Sequence, residues 1–255
     1  MSRIETTFER LRGEGRKALV GFLMAGDPDE AASEAHLRAA LAAGVDVLEL
    51  GVPFSDPTAD GPEIQAAGQR ALASGMTLSK ALALAGRIRR DFETPIVLFG
   101  YGNPFFVRGY ERTCKDAAEA GVDGLLVVDV PYEESAPLRK QTNRAGLALI
   151  PLVAPTTPEA RMASILRGAR GFVYYIMFRG VTGARTAVAG DAAGQLAGLR
   201  RHTRLPIAAG FGVSTPEQAS AVAAYADGVV VGSALVKAAR EGRLEETIRA
   251  LRAAL

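Results

Sequence analysis

Short apolar runs rich in β-forming residues alternate along the chain with segments of helical periodicity. The apolar runs are ALVGFLMAG, VDVLELGVP, PIVLFGY, GLLVVDVP, LALIPLVAP, GFVYYIM, PIAAGFG and DGVVVGSAL. Between them lie stretches such as DEAASEAHLRAALAAG and LSKALALAGRIRRDF, in which apolar residues recur at helical spacing. The pattern predicts about eight strand–helix units.

Strands that are apolar nearly throughout are expected to be covered on both faces, as in a parallel sheet wrapped by helices. Eight such units in 255 residues are typical of a closed (β/α)8 TIM barrel, and we expect a single barrel domain over residues 1–255. Residues 3–12 predict an extra N-terminal helix that closes the barrel floor. The rival, an open doubly wound sheet, normally carries G-x-G-x-x-G after its first strand, and FLMAGDP lacks it.

Composition narrows the classes of function. The chain is 48% hydrophobic and 23% charged, and its 30 basic and 28 acidic residues form no basic stripe that would favour nucleic acid or a membrane surface. The start lacks the apolar core of a signal peptide, and no apolar run approaches the roughly 20 residues that span a bilayer. With a lone cysteine, Cys114, which we expect to be a packed thiol, the sequence predicts a cytoplasmic protein.

The first candidate for chemistry is Glu49, near the carboxyl end of the second predicted strand. Side-chain alternation places Val45, Val47, Glu49 and Gly51 on one face, which we expect to point into the barrel mouth. A carboxylate seldom leaves water unpaired, so either a salt bridge inside the barrel or a catalytic role would account for it. In the catalytic case burial raises the pKa, as a group that both gives and takes protons requires.

The second candidate lies on the segment PFSDPTADGP, which its prolines and glycine predict to be a constrained loop. Asp60 stands on this loop and is expected to face the same mouth. Asp56 is open to two interpretations, a surface contact or a turn former, since Ser-Asp-Pro is ordinary turn chemistry.

Three late glycine-containing segments predict a phosphate site. They are GVTGA at 180–184, GFGVS at 210–214 and VGSA at 231–234, each at a predicted strand end. Small residues let backbone N–H groups approach an anion, and loops after the last strands of such barrels commonly bind phosphate. Any one glycine pair is weak evidence because tight turns also need glycine.

Further polar and aromatic residues end strands at the mouth. These are Phe22, Tyr101, Asp129 and one of Tyr174 and Tyr175. Neighbours on a strand point to opposite faces, so the other tyrosine should pack against helices. Core packing is the alternative for the aromatic residues, and capping or bracing a loop for Asp129. Neither a metal-ligand cluster nor a Ser-His-Asp pattern appears, since His36 and His202 lie far apart, and we predict no metal.

Taken together, the motifs resemble the alpha subunit family of tryptophan synthase along nearly the whole chain. They are AGDP at 25–28, LELGVPFSDPTADGPEIQ at 48–65, AGVDGLLVVDVPYEES at 120–135, GVTGA at 180–184, GFGVSTPEQ at 210–218 and DGVVVGSALVK at 227–237. The resemblance implies a cofactor-free retro-aldol cleavage of indole-3-glycerol phosphate to indole and glyceraldehyde 3-phosphate.

By this resemblance Glu49 is the proton-transferring carboxylate, Asp60 addresses the indole N–H and Tyr174 lines the active site with them. Other positions match the family's substrate-binding residues, and they are Phe22, Tyr101, Asp129, Thr182, Gly183, Gly212, Gly232 and Ser233. Thr182 lies on the loop that closes over the substrate. Closure would exclude water during proton transfer.

The resemblance also implies a beta subunit as partner, in an alpha2-beta2 heterotetramer that passes indole through a tunnel. Pyridoxal phosphate would belong to the beta subunit and not to this chain. Asp56, Asn103 and Pro104 would face the partner.

Two departures from the family bear on regulation more than on chemistry. Residues 177–179 read Met-Phe-Arg where a small polar residue is more usual, and Thr58 stands where leucine is usual. Three alternatives stay open at this point: a free-standing lyase that releases indole, a catalytically silent barrel that activates its partner, and another phosphate-sugar enzyme on the same fold.

Overall fold

A computed structural model describes residues 1–177, 194–210 and 212–255. Its strands are all parallel. They are β1 Ala18–Met24, β2 Val47–Gly51, β3 Ile96–Gly100, β4 Gly124–Val127, β5 Ala148–Leu149, β6 Leu152–Val153, β7 Val173–Ile176, β8 Ile207–Gly210 and β9 Gly228–Val231.

Helices follow the strands in the expected alternation. They are α1 Arg3–Gly13, α2 Glu30–Ala43, α3 Pro62–Ala73, α4 Leu78–Arg89, α5 Gly102–Arg108, α6 Tyr110–Glu119, α7 Ala136–Arg144, α8 Glu159–Leu166, α9 at residues 194–200, α10 Pro216–Ala223, α11 Ser233–Arg240 and α12 Leu244–Ala253. Among the described residues no helix is long and apolar enough to cross a membrane.

The sheet closes on itself through its fifth barrel strand. The hydrogen-bonded order runs β5-β4-β3-β2-β1-β9-β8-β7-β6, and β5 and β6 are separated only by Ile150 and Pro151. Ile150 N–H donates to Leu125 in β4 at 2.8 Å, and Pro151 C=O accepts from Tyr174 in β7 at 2.9 Å. Because proline has no N–H, the fifth strand is interrupted there but still joins both neighbours. The predicted (β/α)8 barrel is confirmed.

Two apolar clusters build the core. The inner cluster fills the barrel and includes Val20, Val47 and Val97 from neighbouring strands, while the outer cluster lies between the strands and the helices. α1 contributes Ile4, Phe8 and Leu11 to the inner cluster, so the predicted N-terminal helix does close the barrel floor. Cys114 is buried on α6 in the outer cluster, where burial raises the pKa of its thiol to about 11, as expected for a packed thiol.

Local polar residues begin several of the helices. The side chains of Ser2, Asp29, Thr77 and Thr215 each accept a hydrogen bond from the backbone N–H three residues ahead. These bonds satisfy N–H groups that have no partner within the helix. α3 begins differently, with Pro62 in its first turn directly after Gly61, so the helix starts two residues after Asp60.

Three aspartates repeat one arrangement at the amino ends of the strands, away from the mouth. Asp46, Asp123 and Asp227 stand directly before β2, β4 and β9. Each carboxylate accepts a hydrogen bond from a backbone N–H of the preceding strand and pairs with an arginine from a helix. The sets are Asp46 with Leu19 and Arg252, Asp123 with Ile96 and Arg89, and Asp227 with Ile207 and Arg200. Each set ties two strands and one helix together at the floor.

Candidate active site

Glu49 lies inside the barrel, in register between Phe22 on β1 and Val97 on β3. Glu49 is 1% exposed, and neither of its carboxyl oxygens has a hydrogen-bond partner among the described residues. Burial raises its pKa from 4.5 to about 8. Since the described residues offer no internal salt bridge, the carboxyl group at neutral pH is mostly a neutral acid held in an apolar enclosure.

The expectation for Val45 is wrong, although Val47 and Glu49 face the barrel interior as predicted. β2 begins only at Val47, so the alternation does not extend back to Val45. Val45 packs in the outer cluster, and its side chain and that of Leu235 on α11 lie where a Cβ on Gly21 would point.

Phe22 forms the apolar wall beside Glu49. Its ring meets the ring of Phe99 edge-on, with 5.1 Å between the centroids. A Cβ on Gly51 would lie 2.5 Å from Cζ of Phe22, so the ring occupies the space that a side chain at position 51 would need. The absence of a side chain at Gly51 therefore leaves room for the Phe22 ring, which keeps water from Glu49.

Asp60 is half-buried on the loop between β2 and α3. Burial raises its pKa from 3.8 to about 6, and a hydrogen bond with Tyr101 acts in the opposite direction. The hydroxyl of Tyr101 also accepts a hydrogen bond from Ala59 N–H at 2.9 Å. On the other side Gln65, on α3, donates through Nε2 to the carbonyl oxygen of Asp60 at 2.8 Å. The loop backbone around Asp60 is therefore held from both sides.

Tyr101 itself is buried at the end of β3, and its ring stacks on that of Phe54 with 5.2 Å between the centroids. Burial raises its pKa to about 12, and the charges of Asp60 and Asp129 add to that effect. The phenol thus stays protonated and can donate to Asp60.

Tyr174 and Tyr175 separate as predicted. Tyr174 packs against the inner cluster, and burial raises its pKa well above the usual value, with the charges of Glu49 and Asp60 adding to the effect. Tyr175 is buried in the outer cluster, and its hydroxyl donates to Gln195 on α9 at 2.6 Å. Tyr174 therefore shares the mouth with both carboxylates.

Asp129 is exposed just beyond β4, and it accepts a hydrogen bond from Gly102 N–H, at the start of α5, at 2.7 Å. This contact matches the loop-bracing alternative. A Cβ on Gly102 would lie 2.6 Å from Val130 and 3.4 Å from the Asp129 carboxylate, which explains the glycine.

Two of the three glycines predicted to hold phosphate, Gly212 and Gly232, lie just beyond β8 and β9. Gly212 has φ +71°, a turn conformation that favours glycine on its own account. Gly232 precedes α11 with a negative φ, and a Cβ there would make only ordinary contacts with Ile64 and Phe22, so neither strain nor crowding calls for glycine. The N–H groups of Leu235 and Val236 donate to Gly232, while those of Ser233 and Ala234 have no acceptor among the described residues, as anion binding requires.

The remaining residues predicted from the sequence lie either outside the described part of the chain or at or near the surface. Thr182 and Gly183 lie outside the described residues, as do Phe178 and Arg179. Asp56 and Asn103 are exposed and Pro104 is half-buried. Sequence reasoning missed Gln65, whose only signal was its place three residues after Pro62, on the first turn of the helix that follows the loop.

A closed parallel barrel with an enclosed carboxyl acid and a braced loop carboxylate at the carboxyl ends of its strands defines a (β/α)8 enzyme of acid–base chemistry. The family model described as tryptophan synthase alpha chain matches residues 8–254. The chain belongs to this family of lyases, which cleave indole-3-glycerol phosphate to indole and glyceraldehyde 3-phosphate in tryptophan biosynthesis.

Individual relatives agree with this assignment. The tryptophan synthase alpha chain of Citrifermentans bemidjiense is 55% identical over 237 residues, covering 93% of this chain and 89% of the relative. The structure of tryptophan synthase subunit alpha from Legionella pneumophila has a TM-score of 0.91 at 36% identity, covering 100% of this chain and 98% of that one. A Mycobacterium tuberculosis tryptophan synthase structure has a TM-score of 0.92 at 36% identity, covering 99% and 98%.

Proposed function

We propose that this chain cleaves indole-3-glycerol phosphate with Glu49 as its acid and base. The observation that carries the assignment is that Glu49 is buried at the mouth with both oxygens unpartnered among the described residues and a pKa raised to about 8. A neutral carboxyl can donate a proton, and its conjugate base is strong enough to take one back near neutral pH.

Two proton transfers complete the reaction. Glu49 gives its proton to indole C3, which makes the ring an acceptor for the electron pair of the C–C bond. The side-chain hydroxyl loses its proton to the Glu49 carboxylate as that bond breaks and the C=O bond of glyceraldehyde 3-phosphate forms. Indole leaves, and Glu49 ends the cycle protonated as it began.

Asp60 supplies the electrostatic part of catalysis in this proposal. Protonation at C3 places positive charge on the indole nitrogen, and a fixed carboxylate stabilises that charge more than it stabilises the neutral substrate. Two hydrogen bonds support this role because they hold the loop before substrate binds: Ala59 N–H donates to the Tyr101 hydroxyl, and Gln65 donates to the carbonyl oxygen of Asp60.

The remaining residues bind and enclose the substrate. Phe22 and Tyr101 supply apolar surface for the indole ring, Tyr174 lines the mouth beside both carboxylates, and Asp129 lies at its rim. Phosphate contacts are assigned to Gly183, Gly212, Gly232 and Ser233, and loop closure to Thr182. The first turn of α11 supports the phosphate assignment.

We also infer that the chain works in the cytoplasm with a beta subunit, in an alpha2-beta2 assembly in which the beta subunit carries the pyridoxal phosphate. The proposed contact residues are Asp56, Asn103 and Pro104. Support comes from α5, where Phe106 is 68% and Val107 is 76% exposed beside Asn103. Large apolar side chains with that exposure, side by side, are typical of an interaction surface.

The test is indole release from indole-3-glycerol phosphate by wild type and by Glu49→Gln, each with and without the beta subunit. We expect release by wild type, a loss of at least about 10²-fold in Glu49→Gln, and stimulation by the partner. Glu9→Gln, on the exposed face of α1, is the matched control. Equal release by Glu49→Gln would overturn the assignment of Glu49.

The same experiment separates the alternatives. Indole release at the same rate with and without the beta subunit indicates a free-standing lyase. No indole release, together with stimulation of the beta subunit's own reaction, indicates a catalytically silent barrel. Val107→Asp should weaken partner binding measured by calorimetry, while Tyr225→Asp, an exposed aromatic on another part of the surface, should not.

A further inference from the structure

A groove with a volume of about 400 Å³ lies outside the barrel, between α7 and α8. Its apolar lining comes from Val127 and Leu149 on the outer side of the strands and from Leu138 and Ile165 on the two helices. The volume is within the range of small-molecule sites. The groove's lining includes Asp129, at the rim of the active-site mouth, but neither Glu49 nor Tyr174.

The groove exists because this part of the helical layer covers the sheet poorly. The fifth strand is interrupted at Pro151, and α8 buries only Leu166 while α7 buries only Leu138 and Thr142. α4, by comparison, buries five residues: Ala81, Leu82, Leu84, Ala85 and Ile88. Apolar surface is thus left open between α7 and α8.

The charges that line the groove are mostly positive. Among the described residues, Arg139, Arg161, Arg167 and Arg170 line it together with one carboxylate, Asp129. Asp129 is bound to Gly102, and Arg161 pairs at the surface with Glu133. Arg167 and Arg170 form no ion pair among the described residues, and Asn143 lies with them in the lining.

Arg170 lies near the barrel floor, three residues before β7. Asp123 and Asp227 each precede a glycine whose Cβ would point into the barrel, and each pairs with a helix arginine. Arg170 precedes Gly171, whose Cβ would likewise meet the inner residues Ile150 and Ala148. Gly171, however, has a φ of +82° and is followed by Phe172 in the inner cluster before β7 begins, so Arg170 does not stand where the aspartates stand.

We propose that the groove binds a small amphipathic carboxylate, with its head at Arg167 and Arg170 and its apolar body along Leu138, Leu149 and Ile165. Arginine is well suited to the head because its planar guanidinium binds carboxylate through two parallel hydrogen bonds. The groove's walls remove the apolar body from water. Neither part requires the residues assigned to cleavage.

Calorimetric titration with octanoate, and with octanamide as its uncharged match, tests the proposal. Octanoate should bind at least about tenfold more tightly than octanamide, and Arg167→Gln with Arg170→Gln should abolish that difference. Arg12→Gln, an exposed arginine on α1, should preserve it. Arg170→Asp, which places a negative charge at the proposed head site, should weaken octanoate binding further.

Two measurements keep the result specific to the groove. Ile165→Trp should fill the space and reduce binding of octanoate and octanamide alike, while the rate of indole-3-glycerol phosphate cleavage shows that the barrel remains folded. Equal binding of octanoate and octanamide by the wild-type chain would overturn the proposal without any variant. Undiminished octanoate binding in Ile165→Trp would likewise overturn it, because the ligand would then lie elsewhere.

Discussion

The hydroxyl oxygen of Tyr101 accepts a hydrogen bond of 2.9 Å from the backbone N–H of Ala59, the residue before Asp60. The same hydroxyl forms a hydrogen bond with the Asp60 carboxylate that lowers its pKa against the effect of burial. One phenol from the end of β3 thus positions the loop backbone and tunes the acid that the loop carries.

Tyr101→Phe should raise the pKa of Asp60 above about 6, because burial then acts without the opposing hydrogen bond. Asp60 is active as the carboxylate, so the acidic limb of the pH–rate profile should move to higher pH. A profile of kcat/KM against pH measures this shift. Tyr110→Phe, which removes another phenol that the Asp129 charge influences, is the control. An unmoved acidic limb would contradict the tuning role.

The raised pKa of Glu49 should make the stability of the fold depend on pH. Its pKa is 4.5 in its ordinary state and about 8 in the fold, so between these values the folded state binds more protons than the unfolded state. The free energy of unfolding should therefore fall as pH rises through this window, by at most about 1.4 kcal/mol per pH unit from this group.

Glu49→Gln keeps the shape and removes the titration, so the variant should gain stability relative to wild type as the pH rises. Urea unfolding of both proteins at about pH 5 and about pH 8 measures the difference. Glu9→Gln should follow wild type throughout. Parallel pH profiles for wild type and Glu49→Gln would mean that the carboxyl is not kept neutral by the fold.

Periodicity was sufficient for the order of strands and helices and for the separation of Tyr174 from Tyr175, because alternation along a strand is a local property. Contacts between distant residues were not predictable in this way. The bond between Tyr101 and Ala59 joins positions 42 residues apart, and its existence depends on how the loop folds over β3. The groove beside Pro151 depends on helix packing, for which apolar spacing gives no measure of coverage.

Gly51→Ala tests whether Phe22 has the position that the structure gives it. The new Cβ would lie 2.5 Å from Cζ and 2.8 Å from Cε2 of Phe22, so the ring must move. Overpacking of this kind costs typically about 1–3 kcal/mol, and displacement of the ring should also lower kcat by opening Glu49 to water. Chemical denaturation and indole release measure both effects.

Gly13→Ala is the matched control for that substitution. Gly13 ends α1, and a Cβ there would have nothing within 4 Å. This variant should be as stable as wild type or slightly more stable, since alanine favours helix over glycine by roughly 0.5–1 kcal/mol. Equal stability of Gly51→Ala and Gly13→Ala would mean that the ring of Phe22 moves aside without any loss in the free energy of unfolding.

Substitutions at the floor of the barrel should change the stability of the fold and leave the rate of indole-3-glycerol phosphate cleavage unchanged. Burial raises the pKa of Asp123 and lowers that of Arg89, so the cost of desolvation exceeds the attraction between the two charges. Removal of one partner is still expensive, because Asp123→Ala leaves Nη2 of Arg89 and the Ile96 N–H without their acceptor, although Arg89 keeps its bonds to the carbonyl oxygens of Gly121 and Phe92. Loss of one member of a buried pair typically costs about 3–5 kcal/mol.

Asp123→Ala should therefore lower the urea midpoint strongly and leave kcat and KM of the folded enzyme within about twofold, since the site lies at the other end of the strands. Asp91→Ala, which removes the more exposed partner of Arg38, should cost at most about 1 kcal/mol. A large loss of kcat in folded Asp123→Ala would show instead that the floor transmits its arrangement through β3 and β4 to the mouth. Similar urea midpoints for the two variants would show that the buried arrangement contributes no more than a surface pair.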